Sequence, residues 1–213
     1  MHIPDGFIIA PVCAGGYAVT AAVTWYSLRK INQKEDFRQD IPKAALLTAA
    51  FTVVSWIHIP IPPASVHLVL NGLMGAMLGY FAFPAILIGL FFQAVLFQHG
   101  GLSTLGVNAV IMGVPAILSY YIFRLRHKMK KNERVTTGIF GFLAGSVGIA
   151  LSVAMFVVIL LTCIPADFDV ATERAAIYVL ALAHLPLIVI EGAFTALITV
   201  FLQRVRPRLL EGV

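Results

Sequence analysis

Long, continuous apolar runs dominate this chain and decide what it can fold into. Because they are continuously apolar rather than alternating, they predict helices and not the strands of a membrane barrel. A helix needs roughly 17–25 mostly apolar residues to cross a bilayer core. Of the 213 residues, 60% are hydrophobic and only 12% are charged, which is more apolar surface than a soluble domain of this length can bury. We therefore expect an all-α integral membrane protein formed by one polytopic domain, residues 1–213, whose apolar runs lie at about 7–28, 42–57, 66–81, 84–98, 105–123, 135–163 and 175–203.

Two of these runs, 66–81 and 84–98, are short, and Pro84 at their junction leaves one long bent helix as an alternative. The distribution of basic residues separates the two interpretations, because cytoplasmic loops carry an excess of lysine and arginine. Merging the short runs would put the two most basic loops on opposite faces. With seven spans, one face carries fourteen of the fifteen basic residues, in the loops 29–43 and 124–134 and in the tail 204–208. A bundle of seven transmembrane helices follows, with the N-terminus outside and the C-terminus cytoplasmic.

The chain starts MHIPDGF, and no lysine or arginine precedes Arg29. Both the basic region and the small-residue cleavage site of a secretory leader are missing, so we expect the first run to be kept as a span. The two cysteines give no disulfide framework. The predicted topology places most histidines in outer loops or outer halves of spans: His2, His58, His67, His99 and His184.

The first two residues offer three nitrogen ligands at very short spacing. A free α-amine on Met1, the amide nitrogen between residues 1 and 2, and Nδ1 of His2 can close two adjoining chelate rings around one metal ion. With a fourth nitrogen from another histidine, this set forms the square plane that suits Ni²⁺ or Cu²⁺ and that Co²⁺ accepts. Mg²⁺ and Ca²⁺ would need oxygen ligands instead. Taken alone, however, a histidine at position 2 usually frays in solvent.

His67 and His99 each have two interpretations. His67 stands where an outer loop enters the third run, so it is a ligand or a hydrogen-bonded interfacial histidine. His99 lies in QHGG, where the glycines permit a turn toward the site or into water. His58 suits the end of a helix.

Further polar groups lie inside the apolar runs. Glu191 is well inside the last run, and His184 precedes it by seven residues on the same helical face. A carboxyl group in a bilayer suggests a function by default, although a structural hydrogen bond to another helix is the simpler interpretation here. Asn71 and Asn108 lie near the outer ends of spans and could orient a ligand.

Four blocks of the sequence carry a family resemblance: MHIPDGF, SVHLVLNGLMG, FQAVLFQHGGLSTLGVNAVIMGVP and HLPLIVIEGAFTALI. Together they resemble the cobalt/nickel-specific membrane component of energy-coupling-factor transporters, the CbiM/NikM family, over nearly the whole chain. In that family the N-terminus, here residues 1–6, folds back into the bundle and supplies the metal site. The resemblance implies as ligands the Met1 amine, the His2 amide nitrogen, the His2 imidazole and His67, with His99 as the next candidate. PPASV before His67 and QHGG in place of GHGG depart from the common pattern and bear on the loop geometry.

The resemblance also implies partners. No G-x-x-x-x-G-K-[ST] phosphate loop occurs in the chain, so ATP hydrolysis is expected in separate subunits. These partners are a transmembrane coupling subunit, cytoplasmic ATPase subunits and often a small accessory membrane protein. The expected location is the plasma membrane of a prokaryote. Co²⁺ or Ni²⁺ is the expected substrate, with no organic cofactor, and cobalamin-synthesis genes beside the gene would indicate cobalt.

Two functions of other classes are alternatives. An intramembrane metalloenzyme would need a motif such as H-E-x-x-H, which the sequence lacks. A carrier that works alone and is driven by protons could use Glu191 as its relay. Transport in vesicles without any ATPase would favour that carrier.

Overall fold

The protein is described from a computed structural model, which covers residues 2–61, 64–129, 132–164 and 169–210, without the side chains of 58–61 and 64–66. Helices account for most of the described chain, and a short antiparallel hairpin pairs His58 with His67. In chain order the elements are α1 (Ala10–Ile31), α2 (Ile41–Val54), β1 (His58–Ile61), β2 (Ala64–His67), α3 (Asn71–Leu78), α4 (Ala82–Phe97), α5 (Leu105–Arg124), α6 (Glu133–Thr162), α7 (Val170–Ala183) and α8 (Leu185–Val205).

Within the described residues, four helical stretches are long and apolar enough to cross a membrane. They are Asn71–Phe97, Leu105–Lys128, Glu133–Thr162 and Val170–Val205. The chain is thus a helical membrane protein, as the apolar runs indicated. The number of crossings, seven, and the orientation of the termini stay predictions.

The stretch Asn71–Phe97 turns back on itself. His67, before α3, and His99, after α4, have ring centroids only 5.4 Å apart. A straight helix of 27 residues would separate its ends by about 40 Å, at about 1.5 Å per residue. The reversal occurs at Gly79, whose φ of +58° suits glycine. The runs 66–81 and 84–98 are therefore two antiparallel legs.

Two apolar runs are less regular than expected. The run 66–81 begins with non-helical residues, and α3 starts only at Asn71. The run 175–203, expected as one helix, is two helices that meet at His184, with a proline in the first turn of α8. Hydropathy does not detect such breaks, because the residues around them are as apolar as those of a continuous helix.

Glycines let the central helices approach one another closely. Every residue of α3 is buried, and a Cβ at Gly75 would overlap the carbonyl of Ala116 in α5. On α6, a Cβ at Gly145 would lie 2.5 Å from the carbonyl oxygen of Glu191 in α8. Gly75 and Gly145 thus allow close helix packing, whereas Gly79 serves the chain reversal.

Candidate metal centre

Three histidines from distant parts of the chain meet at one end of the bundle. They are His2 in the N-terminal segment, His67 at the end of β2 and His99 after α4. The ring centroid of His2 lies 5.2 Å from that of His67 and 4.2 Å from that of His99. One ring nitrogen from each histidine lies within 4.8 Å of the others. Imidazole nitrogens at this spacing are suitable ligands for a transition metal.

The ring of His2 is oriented by Gln93 of α4. Nε2 of His2 lies 2.8 Å from Oε1 of Gln93. The amide nitrogen of Gln93 faces two acceptors, Oγ of Ser55 at 2.8 Å and the carbonyl of Phe51 at 3.4 Å. The Ser55 hydroxyl donates its hydrogen bond to the carbonyl of Thr52, so Oγ of Ser55 acts as the acceptor for the Gln93 amide. The Gln93 oxygen must therefore face His2, and Nε2 of His2 carries the proton.

This tautomer leaves Nδ1 of His2 as the atom with a lone pair. Nδ1 is buried and has no hydrogen-bond partner among the described residues. It is also the ring nitrogen that can share a chelate ring with the amide nitrogen of the same residue. A buried acceptor without a partner is costly in free energy, and a bound metal ion would satisfy it.

His67 is oriented by its own backbone. Its Nδ1 lies 2.9 Å from the carbonyl oxygen of Leu68 and donates to it, which makes Nε2 the nitrogen with the lone pair. The residue is only 3% exposed. Metal-binding histidines commonly donate their second ring N–H to a backbone carbonyl in this way.

The N-terminal segment is anchored by hydrogen bonds to α5 and to the residue before it. Ile3, fully buried, donates its N–H to Oδ1 of Asn108 and accepts from Nδ2 of the same side chain, both at 3.0 Å. Thr104 donates to the same Ile3 carbonyl at 2.7 Å. Asn108 thus holds the residue next to His2, and its role in orienting a metal ligand stays a prediction.

A second anchor lies two residues further on. The carboxylate of Asp5 accepts hydrogen bonds from the backbone N–H groups of Leu102 and Ser103, and from the Ser103 hydroxyl. The hydroxyl is the largest cause of the lowered pKa of Asp5. Gly101 permits this contact, because a Cβ there would overlap the Asp5 side chain. The segment therefore enters the bundle in one defined register.

Burial favours the neutral form of the His2 and His67 rings. Desolvation is the main cause that lowers the pKa of His2 well below its usual value, and the nearby rings of His67 and His99 lower it further. Desolvation likewise lowers the pKa of His67 to about 2. Neutral imidazole is the form that binds metals, so at neutral pH no proton has to leave these rings first.

The remaining polar residues singled out in the sequence have other contacts. Glu191 accepts hydrogen bonds from the backbone of Val69 and Leu70, the structural bond to another part of the bundle that was judged the simpler interpretation. His184 donates from Nδ1 to the carbonyl of Leu180, at the junction of α7 and α8. The amide group of Asn71 donates to α5 and α6, so its contacts serve helix packing and not the histidines.

Three residues complete the comparison with the sequence. Met1 and the side chain of His58 lie outside what the structure describes. Gln93 was not singled out, although it is the one polar residue in the run AILIGLFFQAVLF of α4. A lone amide in an apolar span is the signal that could have found it.

Comparisons with known proteins agree with a bundle of this kind. A crystal structure of a transition metal transporter matches with a TM-score of 0.80 and 26% identity, over 96% of this chain and 93% of that one. The class of protein is therefore a membrane transporter for transition metals. The chain belongs to the CbiM family, the cobalt uptake substrate-specific transmembrane region, whose model matches residues 2–209.

Individual relatives agree with this family. The cobalt transport protein CbiM of Clostridium tetani is 31% identical over 99% of this chain and 88% of its own length. The fused nickel transport protein NikMN of Rhodobacter capsulatus is 34% identical over 54% of this chain and 33% of its own length. The family resemblance inferred from the four sequence blocks is confirmed, and the chain is a transmembrane component of cobalt or nickel uptake.

Proposed function

We propose that this chain captures Ni²⁺ or Co²⁺ on the outer side of the membrane in a square of nitrogen ligands. The ligands are the Met1 amine, the amide nitrogen of His2, Nδ1 of His2 and Nε2 of His67. One observation carries the proposal: Gln93 occupies Nε2 of His2, while the chelating atom Nδ1 is buried without a partner among the described residues. In this orientation Nδ1 of His2 can bind a metal ion, whereas no described group of the protein is placed to donate a hydrogen bond to it.

The spacing of the rings supports this ligand set. In the proposed square plane, Nδ1 of His2 and Nε2 of His67 are neighbouring ligands, and metal–nitrogen bonds of about 2.0–2.1 Å put such a pair about 3 Å apart. One ring nitrogen from each of the three histidines lies within 4.8 Å of the others, so closure requires the rings to approach by up to about 2 Å. His99, whose ring is nearest to that of His2, is the alternative fourth ligand. A planar nitrogen field also excludes Mg²⁺ and Ca²⁺, which prefer oxygen.

The contacts of the bundle support seven crossings with the histidines outside. The basic regions of the chain meet at the end opposite to the histidines. There Lys43 donates to the carbonyl of Leu209 at 3.3 Å, and Arg126 donates to that of Leu210 at 2.9 Å. Basic residues gather on the cytoplasmic side of membrane proteins. The reversal at Gly79 adds one crossing, because it makes two legs of a stretch that a single bent helix would cross once.

Uptake then needs a source of energy outside this chain. We propose the architecture of an energy-coupling-factor system in a prokaryotic plasma membrane: a transmembrane coupling subunit, cytoplasmic ATPase subunits and a small accessory membrane protein. The absence of a phosphate loop from the sequence supports separate ATPase subunits. Release of the ion requires that the plane of nitrogens be disturbed, because the tightly chelated ion would otherwise stay bound.

The N-terminal amine gives the sharpest test. We would compare nickel binding by the purified chain with an authentic N-terminus and by a variant that carries one extra residue before Met1. The extension removes the amine from the chelate, so affinity should fall and the absorption band of planar Ni²⁺ should disappear. Unchanged affinity and spectrum would refute the N-terminal site. His67→Ala should also weaken binding, whereas loss with His99→Ala alone would assign the fourth ligand to His99.

Reconstituted vesicles test the coupling. Metal uptake that depends on co-expressed coupling and ATPase subunits is the expected result. Uptake by this chain alone, driven by a proton gradient, would favour the stand-alone carrier instead.

A further inference from the structure

Glu191 is a fully buried carboxyl group on α8 that touches none of the proposed ligands directly. Both of its oxygens accept hydrogen bonds from the backbone that follows His67. Oε1 accepts from the N–H of Val69, and Oε2 accepts from the N–H of Leu70 at 2.9 Å. Successive backbone N–H groups of this kind form a concave site for an anion. The carboxyl group thereby holds the short connection between β2 and α3.

The backbone conformation of this connection is unusual and matches the contact. Leu70 has a φ of +56°, the left-handed region that side chains other than glycine rarely adopt. Such a conformation costs free energy and persists where neighbouring groups enforce it. The two hydrogen bonds to Glu191 are contacts able to enforce it.

One peptide group joins Glu191 to the ring of His67. The N–H of the Leu68–Val69 peptide donates to Glu191, and the carbonyl oxygen of the same peptide accepts from Nδ1 of His67 at 2.9 Å. Hydrogen bonds in such a chain polarise one another. The hydrogen bond to the carboxyl group polarises the N–H of this peptide. The carbonyl oxygen of the same peptide thereby becomes a stronger acceptor for the Nδ1 proton of His67. The proton is then held on Nδ1, and Nε2 has the lone pair that binds the metal in the proposed function.

The position of the carboxyl group is itself fixed by helix packing. The backbone carbonyl of Glu191 lies against Gly145 of α6, where a Cβ would come within 2.5 Å of it. Close contact of this kind leaves the backbone of α8 little freedom to move away from the connection. The hydrogen-bonded chain from α8 to the His67 ring is therefore built on a rigid pair of helices.

We propose that Glu191 is a positioning residue for metal capture, which sets the tautomer and orientation of the His67 imidazole through the Leu68–Val69 peptide. The proposal rests on the proposed function where it concerns metal affinity. The relay itself exists in the metal-free chain, so it can be tested without metal. Outer groups that orient metal-binding histidines are typically worth 10–100-fold in metal affinity.

The test replaces the carboxyl group of Glu191 with an amide group of the same size. In Glu191→Gln, one acceptor becomes an NH₂ group that faces a backbone N–H. In the metal-free protein in micelles, ¹⁵N chemical shifts of the His67 ring should move toward a mixture of tautomers. Nickel affinity of the same variant should fall about tenfold or more. Glu191→Asp keeps a carboxylate one methylene shorter and should give a smaller effect on both measurements, which preserves the test if Glu191→Gln does not fold.

Thr195→Val is the matched control. Thr195 lies one turn further along α8, is equally buried, contacts the same Gly145 and has a hydroxyl with no partner among the described residues. The variant Thr195→Val should leave the ¹⁵N chemical shifts of the His67 ring and the nickel affinity unchanged. Unchanged shifts in the Glu191 variants, or equal changes in Thr195→Val, would overturn the proposal. If shifts move in Glu191→Gln while His67→Ala retains full nickel affinity, the relay stands and the ligand assignment of His67 fails.

Discussion

Nε2 of His2 and Oε1 of Gln93 lie 2.8 Å apart, although 91 positions separate them in the chain. This contact fixes which nitrogen of His2 carries the proton, because Gln93 is itself oriented by Ser55. The N-terminal residue pair alone would leave the imidazole free to present either nitrogen. The contact with α4 gives the His2 ring one defined lone pair, on Nδ1.

The first prediction concerns Gln93→Leu, which keeps the size of the side chain and removes the acceptor. The Nε2 proton of His2 then has no partner, and both tautomers of the ring become accessible. Nickel affinity should fall about 10–100-fold, the usual effect of losing a group that orients a metal-binding histidine. Calorimetric titration of the purified chain measures the change.

Ser55→Ala provides the comparison for this variant. It removes one of the two acceptors of the Gln93 amide, and the Phe51 carbonyl at 3.4 Å remains. The loss of affinity should be clearly smaller than for Gln93→Leu. Equal affinities of Gln93→Leu and the unmodified chain would show that Gln93 does not orient His2.

The second prediction concerns Asn108→Leu, which removes both hydrogen bonds between this side chain and the backbone of Ile3. The buried N–H of Ile3 is left without an acceptor, which costs about 1–3 kcal/mol. Release of the N-terminal segment should speed nickel dissociation, by about tenfold or more. Stopped-flow competition with a chelator measures the dissociation rate.

Asn108→Asp separates the two hydrogen bonds. It keeps an oxygen that accepts from the Ile3 N–H and loses the donor to the Ile3 carbonyl, which Thr104 still satisfies. Nickel should dissociate from Asn108→Asp faster than from the unmodified chain and more slowly than from Asn108→Leu. A rate for Asn108→Leu equal to that of the unmodified chain would contradict the anchoring role of Asn108.

Much of this architecture follows from local patterns. Continuous apolar runs predicted the helices, and the charge count separated the legs 66–81 and 84–98 although hydropathy treats them as one stretch. The nitrogen chemistry of the chain start drew attention to His2, and the family resemblance named His67 as a further ligand. These features lie in a few neighbouring residues, so a reader of the sequence can find them.

The rest depends on contacts between distant residues. Gln93 gains its role only because α4 brings it beside the N-terminal segment, and Glu191 because α8 brings it beside Val69. No periodicity in the chain records such pairings. The break at His184 does have a local signal, the proline in the first turn of α8, although the hydropathy of the run does not show it.

The third prediction tests the close contact of α6 with α8. In Gly145→Ala the new methyl group would lie 2.5 Å from the Glu191 carbonyl oxygen, which is backbone and cannot swing aside. Overpacking of this kind costs about 1–3 kcal/mol, occasionally more. The thermal midpoint in detergent should fall by several degrees, measured by the loss of circular dichroism.

Gly138→Ala is the matched control on the same helix. Its Cβ would meet only a methyl group of Val200 at an ordinary contact distance of 3.4 Å. Alanine also favours a helix over glycine by about 1 kcal/mol. The midpoint should therefore stay the same or rise, and a fall equal to that of Gly145→Ala would contradict the packing argument.

The last prediction concerns the pH dependence of stability in the metal-free chain. Burial lowers the pKa of both His2 and His67, so the folded protein keeps these rings neutral where an unfolded chain would protonate them. An unfolded histidine has a pKa of about 6.5. Above that pH both states are neutral and the two rings cost nothing. Below it the unfolded chain binds two more protons, and stability falls by up to about 2.7 kcal/mol per pH unit.

Unfolding midpoints measured between about pH 7.5 and 5, for the unmodified chain and for a variant that lacks both imidazoles, test this argument, because an unfolded histidine titrates within that range. The midpoint should be steady above about pH 7 and fall as the pH is lowered. In the double variant His2→Gln/His67→Gln the fall should be shallower, since two of the protons are no longer taken up on unfolding. If the midpoints of the two proteins fell in parallel as the pH is lowered, the fold would not be keeping these imidazoles neutral. The argument that the site is ready to bind metal at neutral pH would then fail.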